Sequence, residues 1–163
     1  MKNSLIISLL ILSIGVCQGE YNYNNLVEID GVWYKKFSDE PMNGKIYGYF
    51  GEEDKELTKV YIGELVNGKK EGKWTSWYHS TGTKMYEKTY KNGKEDGLWT
   101  EWNDNGQKET EINFKDGEKD GLETWWYENG QKKSEATYWV DQWIDEKCWD
   151  EDGNECECDD DDW

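Results

Sequence analysis

The stretch Asn92–Gln107, NGKEDGLWTEWNDNGQ, sets two tight-turn dipeptides, Asn92-Gly93 and Asn105-Gly106, on either side of an arm that carries Trp99 and Trp102. Asn-Gly favours the type I′ turn that joins antiparallel strands, because both central residues need positive φ. The same arrangement, a turn dipeptide followed by Gly or Asp, returns as Asn43-Gly44 with Gly48, Asn67-Gly68 with Gly72, Asp116-Gly117 with Gly121 and, worn down, Val140-Asp141 with Asp145. From Asn43 onward the starts lie 24, 25, 24 and 24 residues apart. A second series of expected two-residue turns, Thr81-Gly82, Asn105-Gly106, Asn129-Gly130 and Asp152-Gly153, falls between them. Two turns and two arms per period make one β-hairpin per repeat.

The arms alternate as strands do. Tyr86, Lys88 and Tyr90, then Thr110, Ile112 and Phe114, then Ser134, Ala136 and Tyr138 share one face of the return arms. A helix is poorly supported, since Gly recurs too often and the apolar spacing is two. On the outgoing arms two tryptophan columns face opposite sides. Trp77, Trp102, Trp126 and Trp149 form the column filled in every copy, so these rings are assigned to packing. Trp74 and Trp99 form the other, with Trp125 shifted and Glu123 standing where the register predicts a ring. Gly48, Gly72, Gly97 and Gly121 are expected to let a neighbouring ring lie over the backbone. The fold class is therefore all-β, an elongated single-layer antiparallel sheet of about five stacked hairpin repeats with a period of about 24 residues.

Residues 20–42 read as an N-terminal hairpin around Asp30-Gly31 that caps the first edge of the sheet. The repeats then occupy 43–155, and 156–163 form an acidic tail. Residues 1–19 have the layout of a secretory signal peptide, with Lys2, an apolar run from Leu5 to Val16 and a small-residue end. Cleavage is expected at Gln18 or Glu20, and Val16 before Cys17 disfavours a lipid anchor there. No second apolar run follows, so a transmembrane span is not expected.

Composition narrows the function classes. From residue 20 onward only 18 of 144 residues are Leu, Ile, Val or Phe, against 11 Trp and 11 Tyr, so rings replace aliphatic core. The net charge is -17, and all 19 basic residues are lysines. Without arginine's planar fork, and with acids that repel a phosphate backbone, nucleic acid is excluded as a partner and an anionic membrane surface is disfavoured. The remaining partner classes are another protein, cationic partners being favoured by the field, and a glycan.

No site for catalysis stands out. His79 lies in the turn segment WYHSTG with only Ser80 and Thr81 beside it, which suits an exposed turn better than a general base. No nucleophile motif and no phosphate-binding glycine loop occurs. Asp150, Asp152 and Gly153 match positions three, five and six of a calcium loop, but Cys148 then falls at position one and Asp159 at position twelve. The repeat turn explains them better, so neither a metal nor a cofactor is assigned. After signal cleavage Cys148, Cys156 and Cys158 remain. If Asp152-Gly153 is a two-residue turn, Cys148 faces Glu157 and points away from both other cysteines. The candidate partner-binding face is Trp74, Trp99 and Trp125, while Trp77, Trp102, Trp126, Gly72, Gly97 and Gly121 are assigned structural roles.

The segments NGKKEGKWTSWYHSTG, NGKEDGLWTEWNDNGQK and DGEKDGLETWWYENGQKK resemble the bacterial variant of the MORN (membrane occupation and recognition nexus) repeat, as found in YwqK-type antitoxin-like proteins. The segment LVEIDGVWYKKFSDEPMNGKIYGY looks like the N-terminal stretch that precedes such repeats in secreted members. The resemblance implies an elongated sheet of hairpins, a role in association with proteins or membranes, and no catalytic residues. Three functions remain in view. They are an exported, non-enzymatic protein-interaction scaffold of the cell envelope, a glycan or cell-wall binding module using a tryptophan face, and an antitoxin. Export by residues 1–19 argues against the last.

Overall fold

The computed structural model describes residues 19–50 and 58–158. Residues 1–18 of the expected signal segment and the last five residues of the acidic tail lie outside the described residues. The strands are β1 (Gly19–Asn22), β2 (Leu26–Ile29), β3 (Val32–Lys35), β4 (Gly44–Phe50), β5 (Thr58–Val66), β6 (Lys69–Trp77) and β7 (Lys84–Lys91). They continue with β8 (Lys94–Trp102), β9 (Lys108–Lys115), β10 (Glu118–Trp126), β11 (Lys132–Trp139), β12 (Gln142–Trp149) and β13 (Glu155–Cys156). From β4 onward consecutive strands pair antiparallel into one long open sheet of hairpins, as the alternation and turns predict.

The first turn series is of type I′. Asn67-Gly68, Asn92-Gly93 and Asp116-Gly117 each hold both central residues at positive φ, and so do Val140 at 51° and Asp141 at 58°. Neighbouring turns bond to one another. The Gly93 amide donates to the carbonyl of Lys70 at 2.9 Å, Gly117 to Glu95 at 2.8 Å and Asp141 to Lys119 at 2.9 Å.

The second series is longer than the dipeptides suggest. At Gly82, Gly106, Gly130 and Gly153 only the glycine has positive φ. The Gly106 amide donates to Asn103 and Asn103 to Gln107, so a type I turn closes into a glycine bulge. The extra residue shifts the register by one. Trp102 thus pairs with Lys108 while Glu101 pairs with Thr110.

A second irregularity follows the type I′ turns at Asn92-Gly93 and Asp116-Gly117. Between the pairs Lys88–Trp99 and Tyr90–Glu95, β8 takes four steps against two on β7, and β10 does the same against β9. Gly97 at φ 119° and Gly121 at φ 113° permit this. The side chains of Thr89 and Asn113 fill the gap by donating to the carbonyls of Leu98 and Leu122 at 3.1 and 2.9 Å. These two glycines therefore serve backbone curvature and not ring stacking, and nothing lies within 4 Å of a Cβ placed on Gly72. A ring does cover Gly63, where an added Cβ would run into the indole of Trp74.

The N-terminal end departs from the expected plan. Asn43-Gly44 makes no hairpin, because β3 pairs with β2 and β4 pairs with β5 and, in parallel, with β1. The sheet's first edge is thus covered by β1. The β2–β3 hairpin lies against the β5–β6 end instead, held by Trp33 N to Gly68 O at 2.7 Å, Gly68 N to Met42 O at 2.7 Å and Met42 N to Trp33 O at 2.9 Å. Asn43 Oδ1 accepts from the Asn67 amide at 2.7 Å, so its side chain serves the next turn. Leu26, Trp33, Met42, Ile46, Leu65, Trp74 and Tyr90 form the buried core beneath this hairpin.

Val140 is β-branched and sits in the left-handed region, where its Cβ crowds the following carbonyl. Val140→Asn is expected to stabilise the fold by about 1 kcal/mol, read as a higher urea midpoint with unchanged slope. An unchanged midpoint would show that the turn carries no such strain.

Candidate functional site

The two sheet faces differ in chemistry. On one, a repeated triad runs across the hairpins. Lys84, Lys108 and Lys132 ion-pair with Glu87, Glu111 and Glu135 at 3.0, 2.6 and 2.6 Å. The same ammonium groups lie over the indoles of the next hairpin, Trp102, Trp126 and Trp149, at 5.0, 5.5 and 5.2 Å. Lys73 also reaches Glu87 at 2.7 Å, and hydrogen bonds from Lys73 and Lys84 hold that carboxyl below its ordinary value. At the loop edge the Tyr78 and Tyr127 hydroxyls donate to the carbonyls of Trp102 and Trp149, both at 2.9 Å.

The opposite face is the one the β2–β3 hairpin covers at its N-terminal end. Trp33 meets Tyr23 at 5.4 Å and Trp74 at 6.5 Å between centroids, and Trp74 meets Tyr90 at 6.4 Å. Lys70 Nζ lies 5.8, 5.1 and 4.8 Å from the Trp33, Trp74 and Tyr90 rings. Burial lowers the Lys70 pKa, with Glu28 and Glu95 acting in the other direction, and burial also raises that of Tyr90. This nest combines residues of the capping hairpin with residues of the repeats, so no repeat-by-repeat reading signals it.

The Trp74, Trp99 and Trp125 set is divided. Trp74, Lys88, Trp99, Ile112, Glu123, Ala136 and Glu146 are successive cross-strand partners, so Trp74 and Trp99 share a row with Glu123 in it. Trp74 is only 4 % exposed and donates to the Glu64 carbonyl at 3.2 Å. Trp99 is half-buried, stacked on Phe114 at 5.3 Å, with Lys88 Nζ 3.3 Å from its centroid and its Nε1 on Glu101 at 3.1 Å. Burial lowers the Lys88 pKa, with Glu101 and Glu95 acting against it. Trp125 lies in the neighbouring row, between Thr110 and Ser134. Its buried Nε1 and the Thr110 hydroxyl have no hydrogen-bond partner among the described residues.

Two further features escaped the sequence reading. Trp139, Val140, Trp143 and Ile144 surround the last type I′ turn, and all are exposed. Val140, Trp143 and Ile144 stand where the two preceding copies carry Asn92 and Asp116, Glu95 and Lys119, and Asp96 and Asp120, which is the available signal. The second feature is a cleft of about 310 Å³ lined by Tyr23, Tyr49, Ile62, Lys70, Trp74 and Tyr86 among others. It sits where β5 and β6 part, since their ladder pairs only Glu64–Val66 with Lys69–Glu71.

The C-terminal residues have local explanations. Asp150 Oδ1 accepts from the Asp152 amide at 3.0 Å and the Asn154 amide at 2.8 Å, and the bonds from Asn154 hold its carboxyl below the ordinary value. The turn is the longer type of its siblings, but β12 and β13 lack the register shift that follows it there, so Cys148 faces Cys156 and not Glu157, and a disulfide joins Cys148 to Cys158. Glu146, Cys148 and Cys158 converge as metal-ligand types would, but the two sulfurs are bonded to each other and offer no thiolate. His79 is exposed in its loop.

Glu123 is 3 % exposed and its charge is met by Lys119 at 2.5 Å. Breaking such a pair strands a carboxylate, whereas removing both charges does not. Lys119→Met is expected to cost about 2 to 3 kcal/mol in urea denaturation, and Lys119→Met with Glu123→Leu to regain most of it. Equal losses for the single and double variants would show that the pair holds nothing.

The family model described as MORN repeat variant matches residues 70–92, 95–116 and 119–139. No curated protein and no solved structure matches the chain. Repeats of this kind are non-catalytic and commonly mediate association with proteins or membranes. Among the described residues no helix is long and apolar enough to cross a membrane. The matched segments are the successive hairpins β6–β7, β8–β9 and β10–β11, so the centre of this sheet is similar to a run of MORN-variant repeats.

Proposed function

We propose that this chain is an exported, non-enzymatic repeat protein that serves as a protein-interaction scaffold in the cell envelope. The observation that carries the reading is the exposure of Trp139, Val140, Trp143 and Ile144, at 62, 43, 57 and 55 %. Four large apolar side chains exposed around one turn mark a surface that gains from being covered. Glu118, Asp141 and Asp145 lie close by in sequence or register, and the whole chain carries a net charge of -17. The partner that fits is a protein with an apolar pocket rimmed by lysine or arginine. The leader-like residues 1–19 support export to the envelope or beyond.

A glycan is the second reading, favoured by the cleft. Tyr23, Tyr49 and Tyr86 offer ring faces there, with the hydroxyl-bearing Thr75 and Ser76 also in the lining. That chemistry suits a short neutral sugar chain.

Crosslinking in the native envelope is expected to recover one partner with the wild type and to lose at least tenfold with Trp139→Ser/Trp143→Ser, whose stability should change little. Equal recovery by the double variant removes the turn from the interface. Protein found unprocessed inside the cytoplasm defeats the export half. Quenching of tryptophan fluorescence by cell-wall fragments, lost in Tyr49→Ala, moves the assignment to the glycan.

A further inference from the structure

The cysteines at the end of the sheet are placed for chemistry that neither the repeats nor the scaffold role uses. Cys148 on β12 is the cross-strand partner of Cys156 on β13, yet its disulfide is to Cys158. Directly opposed residues of an antiparallel pair have Cα atoms about 4.5 to 5.5 Å apart with side chains on one face, inside the span a disulfide accepts. The Cys148–Cys158 Cα separation is 5.3 Å. The Cys148 sulfur therefore has two cysteines of the same C-terminal segment within bonding reach and is joined to one. Cys148 is 3 % exposed, whereas Cys156 is exposed and keeps its thiol.

We propose that Cys148, Cys156 and Cys158 form a thiol–disulfide exchange site in which Cys156 opens the Cys148–Cys158 bond. Cys156 gives its proton to water, and its thiolate attacks Sγ of Cys148. The Cys148–Cys156 bond forms as the Cys148–Cys158 bond breaks, and the electron pair leaves on Cys158 Sγ, which takes a proton from water. One disulfide and one thiol stand on each side, so no oxidant or reductant is consumed. The product ring is two residues shorter, and the reactive thiol has moved to Cys158, next to the chain's last five residues. The exchange changes which cysteine is presented for modification or for mixed-disulfide formation.

The surrounding charge sets the rate. Glu146 on β12 places a carboxylate oxygen 3.7 Å from Cys148 Sγ. Glu155 and Glu157 flank Cys156, and the turn adds Asp150, Glu151 and Asp152. From β11 the facing residue is the uncharged Ser134, and Lys147 belongs to the other face. Like charges oppose the approach of a thiolate to the Cys148 sulfur. Exchange needs the thiolate, so it is faster toward the ordinary thiol pKa of about 8.5, and faster when salt screens the acids.

The full-length protein, free of reductant, is incubated near the ordinary thiol pKa, quenched in acid and alkylated. A protease cutting after glutamate then separates Cys156 from Cys158, because Glu157 lies between them. Alkylation is expected first on Cys156 and with time on Cys158, at a rate independent of protein concentration. The rate should rise up to about tenfold per pH unit below the thiol pKa, and several-fold in high salt or in Glu146→Gln. Oxidised Cys158→Ser should carry a Cys148–Cys156 disulfide. Label that stays on Cys156 throughout, or appears on Cys158 at a rate proportional to protein concentration, overturns the proposal.

Discussion

A sheet one layer thick has no opposing layer on which to bury its side chains, and each hairpin here must bury its rings on the next one. The interaction that meets this constraint is the lysine ammonium set over the indole one hairpin along, as in Lys84 on Trp102, Lys108 on Trp126 and Lys132 on Trp149. Each such contact is worth only about 0.5 to 1 kcal/mol near the surface. The lysine also holds a glutamate of its own strand, so one side chain ties its own hairpin to its neighbour. Stability then sums along the sheet as a nearest-neighbour series. This gives lysine a packing role in a chain with few aliphatic residues. The lysine stem covers apolar surface while its head stays wet.

The ends of such a series lack one neighbour each, and the chain treats them differently. At the N-terminal end the β2–β3 hairpin lays Trp33 against Trp74 and Lys70 and contributes to a buried core with Ile46, Leu65 and Tyr90. At the C-terminal end a disulfide stands in for a core, joining Cys148 to Cys158 beside a strand of two residues. The apolar turn at Trp139–Ile144 lies near that thinner end, where intrachain cover runs out.

The hairpins, their period and the two tryptophan columns were legible because each rests on local chemistry. Asn-Gly encodes positive φ, and alternation encodes a face. The loop type was not legible from Asn105-Gly106 alone, because an Asn-Gly pair suits both a two-residue turn and a type I turn with a glycine bulge. The cysteine pairing depended on a further difference that no turn dipeptide encodes: β12 and β13 lack the one-residue shift that follows this turn in the sibling hairpins, which brings Cys156 in place of Glu157 opposite Cys148. Asn43-Gly44 copied the turn signal without being a turn, since β1 and the β2–β3 hairpin compete for the strands around it. At the site, the columns showed Trp99 and Trp125 but not that Trp33 buries Trp74. That contact joins residues 41 positions apart and follows no period.

The outgoing arm of the last hairpin is one step shorter than its siblings. Between the pairs Tyr138–Trp143 and Ala136–Glu146, β12 takes three steps where β8 and β10 take four, and it has no glycine there. The interior arms β8 and β10, by contrast, share the same four-against-two step and its glycine. An interior unit of the gene can therefore be duplicated or lost by unequal recombination with each junction still matching. A copy of the last unit inserted among the others would break register with both neighbours. The shortened arm confines changes in repeat number to the middle of the chain, and lineages carrying this architecture should vary in length there while keeping both ends.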